Sequence, residues 1–252
     1  MAYIIFDLDD TLLNDHRQIS PYTLKVLEKL RSMGHKIAPN TARSKLFAQE
    51  YLDILKPDYA ILNGGALILE GEDRVLVRQA MDAETTKALI KDLLLQSEKI
   101  DVQTDDQLYS HMGRYTGQNA RAIDFSRDAF DFPALKVVAT VEDEARAREL
   151  AKKYDLELTT YFGSTLRRFS KKGGTKVNAN RLLMEKLGGS IGDIIAFGDD
   201  WGDLEMLREA GLGVLMKNAR EEVHGQVARM SEYTNHEDGV ARFLVKHFDL
   251  EM

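Results

Sequence analysis

Residues 3–12 read Tyr3-Ile4-Ile5-Phe6-Asp7-Leu8-Asp9-Asp10-Thr11-Leu12. The first four are apolar and β-prone, and the run stops at an acid. A short continuous apolar run suits a strand covered on both faces, as in the parallel sheets of α/β proteins. Ligands of open α/β sheets bind beyond the carboxyl ends of the strands, where Asp7 falls. In extended geometry residues two apart point to the same side, so Asp7 and Asp9 can share one cavity at the strand end. Neighbouring carboxylates repel, and such a pair suits a bound cation or one shared proton. On spacing alone a solvated acidic turn is equally compatible, because aspartate is a common turn residue.

The alternation of strand and helix continues outward. A helix is expected near residues 20–33, with Ser20 as its cap, Pro21 in its first turn and Gly34 after its end. Strand candidates follow at 36–38, running into Asn40-Thr41-Ala42-Arg43, and at 59–62, closed by Asn63-Gly64-Gly65. Near the C-terminus the spacing predicts a helix over 176–187, a strand over 193–197 ending at Gly198-Asp199-Asp200, a helix over 203–209 and a strand over 213–216. This order predicts an α/β fold with a doubly wound, mostly parallel, Rossmann-like core sheet. Residues 81–170 read differently. They offer a helical stretch at 83–96, polar loops, strand-like 135–140, a charged helix at 142–153 and strand-like 156–161. The expected organisation is a core over 1–80 and 171–252, interrupted by a smaller inserted α+β domain over 81–170.

Composition narrows the function. The 252 residues carry a net charge of −7 and no cysteine. Disulfides, zinc–thiolate sites, iron–sulfur clusters and cysteine nucleophiles are thereby excluded. The acidic balance argues against a dedicated nucleic-acid binder, while one cationic pocket on an acidic surface still allows an anionic substrate. No stretch approaches the ~18 apolar residues of a membrane span. The N-terminal apolar run ends at Asp7, too early for a signal peptide. The expectation is a soluble, cytoplasmic protein with neither membrane nor nucleic-acid partner; oligomeric state is not legible.

A second acidic cluster, Gly198-Asp199-Asp200-Trp201-Gly202-Asp203, also follows an apolar strand. It can be a turn with a helix cap. Two acidic strand ends in one sheet can instead converge on a hard cation, and oxygen ligands with room for phosphate favour magnesium. Thr41, with the backbone amides that follow it, and Lys176 are candidate phosphate handles, although singly a cap and a solvated lysine are the commoner roles. Gly173-Gly174-Thr175-Lys176 lacks the glycine spacing of a Walker loop. The histidines form no metal-spaced cluster, and packing is the expected role of Trp201.

Taken in order, these residues resemble the haloacid dehalogenase superfamily, and most closely its Cof-like sugar-phosphatase branch with a large α/β (type IIB) cap. Asp7-Leu8-Asp9-Asp10-Thr11 matches the first motif, Asp-x-Asp-x-Thr. Thr41-Ala42-Arg43 resembles the second, Lys176 the third, and Gly198 to Asp203 the fourth. Asn63-Gly64-Gly65-Ala66, Met216-Lys217-Asn218-Ala219 and Glu237-Asp238-Gly239-Val240 are further branch-like signatures.

The resemblance implies a magnesium-dependent phosphatase for a small phosphorylated metabolite, expected to be a sugar phosphate. Asp7 would be the nucleophile that forms an aspartyl-phosphate, and Asp9 the group that protonates the leaving oxygen and then assists water. Magnesium would contact Asp7, the Asp9 carbonyl and Asp199, with Asp203 a direct or water-mediated partner. Thr41, Ala42, Lys176 and Asn218 would hold the phosphate or orient the acids. The insert would act as a cap that chooses the leaving group, with Tyr109, His111, Arg114, Tyr115, Arg167 and Arg168 chemically able to contact it. Two departures stand out: Gly202 replaces the usual asparagine of the fourth motif, and Ala42 the usual glycine of the second. A phosphosugar mutase, or a catalytically weak phosphometabolite-binding regulatory protein made credible by Gly202, are the alternatives.

Overall fold

The structure is a computed structural model that describes residues 1–113, 120–161 and 163–251. Arg114 and Tyr115, two of the candidate leaving-group contacts, lie outside the described residues. The elements in chain order are β1 (Tyr3–Phe6), α1 (Pro21–Ser32), β2 (Lys36–Pro39), α2 (Lys45–Leu55), β3 (Tyr59–Leu62), β4 (Leu67–Glu70), β5 (Arg74–Arg78) and α3 (Ala83–Leu93). They continue with β6 (Ile100–Gln103), β7 (Leu108–His111), β8 (Ala120–Ile123), β9 (Lys136–Thr140), α4 (Glu144–Lys153), β10 (Leu156–Thr160) and β11 (Leu166–Lys171). The last are α5 (Lys176–Leu187), β12 (Ile194–Gly198), α6 (Leu204–Glu209), β13 (Leu212–Leu215), β14 (Arg229–Met230) and α7 (Gly239–Phe248). The chain forms two compact units: Met1–Ala42, Ala48–Val77 and Lys176–Met252 in the first, Arg43–Phe47 and Arg78–Thr175 in the second.

The first unit holds a five-stranded sheet in the order β14-β13-β12-β1-β2, and every pairing in it is parallel. Ile4, Ile5 and Phe6 are all fully buried, so both faces of the central strand are covered, as the uninterrupted apolar run requires. Phe6 pairs with Pro39 on one side and Phe197 on the other, which sets the carboxyl ends of β1, β2 and β12 level. A parallel bridge from Asn40 to Ile61 brings β3 alongside β2, and β3 opens a second sheet, β3-β4-β5. Helix α1 starts where its sequence signals: the Ser20 hydroxyl accepts the Thr23 N–H at 3.0 Å and Pro21 occupies the first turn. Gly34, at φ +89°, supplies the left-handed residue after its end.

The second unit holds a six-stranded sheet in the order β10-β11-β9-β6-β7-β8. Its pairings are antiparallel except for β7 with β8. One face carries an apolar core of Ile100, Val102, Val137, Ala139 and Phe169 packed with Leu89, Ile90, Leu93, Ala147 and Leu150 of α3 and α4. Asp82 and Asp143 cap these helices through their side chains. Asp92 ties them together, accepting from Lys153 at 2.7 Å and Tyr154 at 2.8 Å. Strands β6, β7 and β8 lie where the sequence reading expects polar loops, because each is four residues long and mixes polar with apolar side chains. The helix expected over 83–96 ends at Leu93.

Candidate active site

The site is built at the level carboxyl ends of β1 and β12. The Asp7 N–H donates to Phe197 O at 3.1 Å, so the last rung of the parallel ladder fixes the Asp7 backbone. Asp7 and Asp9 both have extended backbone angles, but the turn that begins at Leu8, which is fully buried, interrupts the strand between them, so the simple alternation expected of an extended Asp7-Leu8-Asp9 is not kept. Asp10 then turns the chain at φ +55°, a conformation that aspartate tolerates better than most residues. Its carbonyl accepts Asn218 Nδ2 at 2.7 Å, and Asn218 Oδ1 in turn accepts the Asn235 N–H at 2.9 Å. Asn218 therefore bridges the first-motif turn and the segment before α7.

Lys176, the first residue of α5, reaches two carboxylates at once. Its Nζ lies 2.9 Å from Asp7 Oδ1 and 2.7 Å from Asp203 Oδ1. The helix start is itself held, since Asn40 Nδ2 donates to Lys176 O at 3.0 Å and to Asn180 Oδ1 at 2.8 Å. Asp203 is fully buried and sits before α6, yet its side chain does not cap that helix. Its Oδ2 turns back to accept the N–H groups of Asp199 at 3.1 Å and Asp200 at 3.3 Å. Asp199 accepts Thr11 Oγ1 at 2.8 Å, which joins the first and fourth motifs directly. Gly198 is required by close approach: a Cβ there would lie 2.4 Å from the Asp203 Cβ.

Asp7, Asp199 and Asp203 offer oxygens that lie within 4.8 Å of one another. The Asp9 side chain is outside this group, and Asp9 itself is half-buried. Crowding three acids around one lysine shifts their protonation. Burial pushes Asp7 up to about 7, opposed by the Lys176 charge and reinforced by Asp203. Burial, then the charges of Asp203 and Asp7, raise Asp199 to about 8. Burial pulls Lys176 down, but the charges of Asp203 and Asp7 outweigh it and leave the ammonium raised. The cluster thus holds more negative charge than Lys176 neutralises. Its donors are all carboxylate oxygens, the set that suits a hard divalent cation such as magnesium.

The other expected residues are placed as follows. Thr41 is buried beyond β2, its N–H donating to Ile61 O at 2.9 Å, and Ala42 after it is exposed. Gly202 is exposed and donates its N–H to Asp200 Oδ1 at 2.7 Å. Trp201 is 48% exposed rather than packed, because it lies in the turn between β12 and α6 and not on the apolar face of either. In the second unit Tyr109 stacks on Phe132 at 4.4 Å, and His111 Nδ1 accepts the Phe125 N–H at 3.2 Å, so both serve packing there. Arg167 and Arg168 are adjacent in β11 and point to opposite faces of the sheet. Thr11, Asn40 and Asn180 are supports that the sequence reading does not assign. Only Thr11 and Asn40 had a signal, as members of quoted polar stretches.

The haloacid dehalogenase-like hydrolase family matches residues 4–244. The chain is 27% identical over 98% of its length, and 95% of the relative, to the 5-amino-6-(5-phospho-D-ribitylamino)uracil phosphatase YcsE of Bacillus subtilis. It is 29% identical over 98% of its length, and 97% of the relative, to the phosphatase YitU of the same organism, which carries the same substrate name. The fold matches a solved subclass IIB sugar phosphatase of this superfamily with a TM-score of 0.79 at 21% identity, covering 99% of each chain. The chain belongs to the haloacid dehalogenase-like hydrolases. It falls in their Cof-like branch and is a phosphatase.

Proposed function

We propose that the chain is a magnesium-dependent phosphatase that hydrolyses a small phosphorylated metabolite of the sugar- or polyol-phosphate class through an aspartyl-phosphate on Asp7. The observation that carries this reading is the Asp7–Asp199–Asp203 carboxylate cluster around Lys176 at the strand ends. Its substrate class is supported by the two Bacillus relatives, whose names describe phosphorylated ribityl compounds. Asp7, Asp199, Asp203 and the Asp9 carbonyl would hold magnesium, which supplies charge neutralisation for the phosphoryl oxygens and the attacking carboxylate.

In the first half-reaction an Asp7 carboxylate oxygen attacks phosphorus, and the bond from phosphorus to the leaving oxygen breaks. Asp9 donates its proton to that oxygen, so the product leaves as an alcohol. In the second, Asp9 accepts a proton from water as its oxygen attacks phosphorus, and Asp7 departs as carboxylate with inorganic phosphate released. Lys176 holds Asp7 in place and lowers its proton affinity, opposing the rise that burial causes. Thr41, the Ala42 backbone and Asn218 position the phosphoryl oxygens. The second unit serves as the cap that selects the leaving group. The test is a phosphate-release screen over phosphorylated sugars, polyols and nucleotides with and without magnesium. Steady release that needs magnesium supports the reading; phosphate returned to the organic substrate, or binding without release, contradicts it.

A further inference from the structure

In the first unit a cavity of about 340 Å³ is lined by residues of the edge strand β14, of the turn that follows it and of helix α7. That volume falls within the range of small-molecule sites. Strand β14 is the outermost of the five-stranded sheet, two places from β12, and no lining residue belongs to the catalytic cluster. The apolar lining includes Met230 of β14 and Phe243 of α7. Phe243 is fixed from the core side, where it meets Phe197 edge-on at 5.5 Å, while Met230 is 39% exposed.

The charged lining is cationic, in a chain whose net charge is −7. Arg229, Arg242 and Lys246 face a single acid, Glu232. Lys246 already takes that acid, at 2.6 Å. Arg242 pairs with no carboxylate: its Nε donates to the Glu237 carbonyl at 2.7 Å, and its guanidinium lies 4.9 Å from the centre of the Tyr233 ring. It is therefore held in place with donors to spare, and a guanidinium carries five. The Arg229 side chain is exposed and has no polar partner among the described residues. A lone exposed arginine is ordinary. Here it shares a preformed, partly apolar cavity with a second guanidinium that lacks a counter-charge.

We propose that this cavity binds a planar organic anion. Arg229 and Arg242 take its acid group, since a guanidinium matches a carboxylate or phosphate with paired donors. Its ring lies against Met230 and Phe243, because thioethers and aromatic rings both make favourable contacts with a flat π-surface. An anion without a ring gains only the first set of contacts, and a ring without charge only the second. The site stands independently of the phosphatase reading, because it uses none of the acids at the ends of β1 and β12.

The test is isothermal titration calorimetry on the full, chelator-treated chain, with 2-naphthoate as the probe. Its Kd is expected at about 1 mM or below, as the size of the probe allows. The neutral 2-naphthamide and the ringless formate each bind at least about tenfold more weakly, the scale of one charge-assisted hydrogen bond. Arg229→Ser weakens 2-naphthoate by about tenfold or more, and Arg229→Lys, which keeps the charge and loses the fork, by less. Lys91→Gln removes an exposed charge from the second unit and leaves the affinity within about twofold. Circular dichroism verifies folding. Cyclic AMP, a phosphodiester, separates two sources of the same chemistry: displacement of 2-naphthoate assigns the site to nucleotides, and no displacement to aromatic carboxylates. Affinity for 2-naphthoate within about twofold of the wild type in folded Arg229→Ser, or equal binding of the amide, overturns the proposal. A dimer in sedimentation that Arg229→Ser dissociates also overturns it, because a second copy would then fill the cavity.

Discussion

Lys176 Nζ stands 2.9 Å from Asp7 Oδ1 and 2.7 Å from Asp203 Oδ1, so one ammonium joins the end of β1 to the start of α6. Both partners are buried, and low local polarity makes this contact matter more than a surface ion pair of the same length. The arrangement places the lysine as a structural clamp and a charge donor at once. The same group that fixes the two acids also reduces their mutual repulsion.

Removing the clamp leaves two buried carboxylates without their counter-charge. Lys176→Met is expected to lower stability by about 3–5 kcal/mol in urea unfolding of the chelator-treated protein, the usual effect of breaking a buried pair. Its phosphate release falls by about 10²-fold or more, because a positioned charge acting on the phosphoryl group is lost. A stability change under about 1 kcal/mol would show the lysine to be solvated and exchangeable.

Protonation gives the cluster a defined pH signature. Asp7 and Asp199 have folded-state values of about 7 and about 8, raised by burial first. An acid raised on folding contributes stability that is complete below its unfolded value of about 4 and disappears as pH climbs through the folded value. The Tm of metal-free protein therefore falls between about pH 5 and pH 8, and Asp199→Asn flattens the slope. Magnesium raises the Tm more at the alkaline end, where the carboxylates are ionised. A Tm that rises with pH across this window in the metal-free protein contradicts the crowding of acids.

Gly198 is a steric requirement. Its replacement by alanine would set a Cβ 2.4 Å from the Asp203 Cβ, with the Asp203 carboxylate also in contact. Gly198→Ala is expected to destabilise by about 1–3 kcal/mol, as overpacking does. It also raises the magnesium concentration for half-maximal activity, since Asp203 is displaced. An unchanged magnesium requirement in a folded variant would separate Asp203 from the metal.

Thr11 supports Asp199 through a 2.8 Å hydrogen bond. Thr11→Val removes the donor while keeping the shape, and weakens apparent magnesium affinity by about 10- to 100-fold, the range seen when a ligand loses its supporting partner. Titration of activity against magnesium measures it. A loss confined to kcat at saturating magnesium would place Thr11 elsewhere in the reaction.

The parallel sheet was legible because its strands carry unbroken apolar runs: Ile4, Ile5 and Phe6, or Ile194, Ile195 and Ala196, with acids or glycines at their ends. The α1 boundaries were legible because Ser20, Pro21 and Gly34 each act locally. Strands such as Ile100–Gln103 were not, since Asp101 and Gln103 place polar side chains on a buried face and so hide the usual alternation. Within the site, the pairing of Asp7 with Lys176 depends on contacts far apart in sequence, and only a family pattern pointed to it. The supporting role of Asn180 was invisible, and that of Asn40 was signalled only by its place in the polar stretch after β2, because a buried asparagine reads like a loop residue until its partners are placed.

Asp7 carries the account, and its replacement tests it most directly. Asp7→Asn preserves the shape of the side chain and removes the attacking oxygen charge. With magnesium present and folding verified by circular dichroism, steady phosphate release from a substrate of the wild type is expected to fall by about 10⁴-fold or more, as when a covalent nucleophile is lost. Release within about tenfold of the wild type would contradict covalent catalysis at the end of β1.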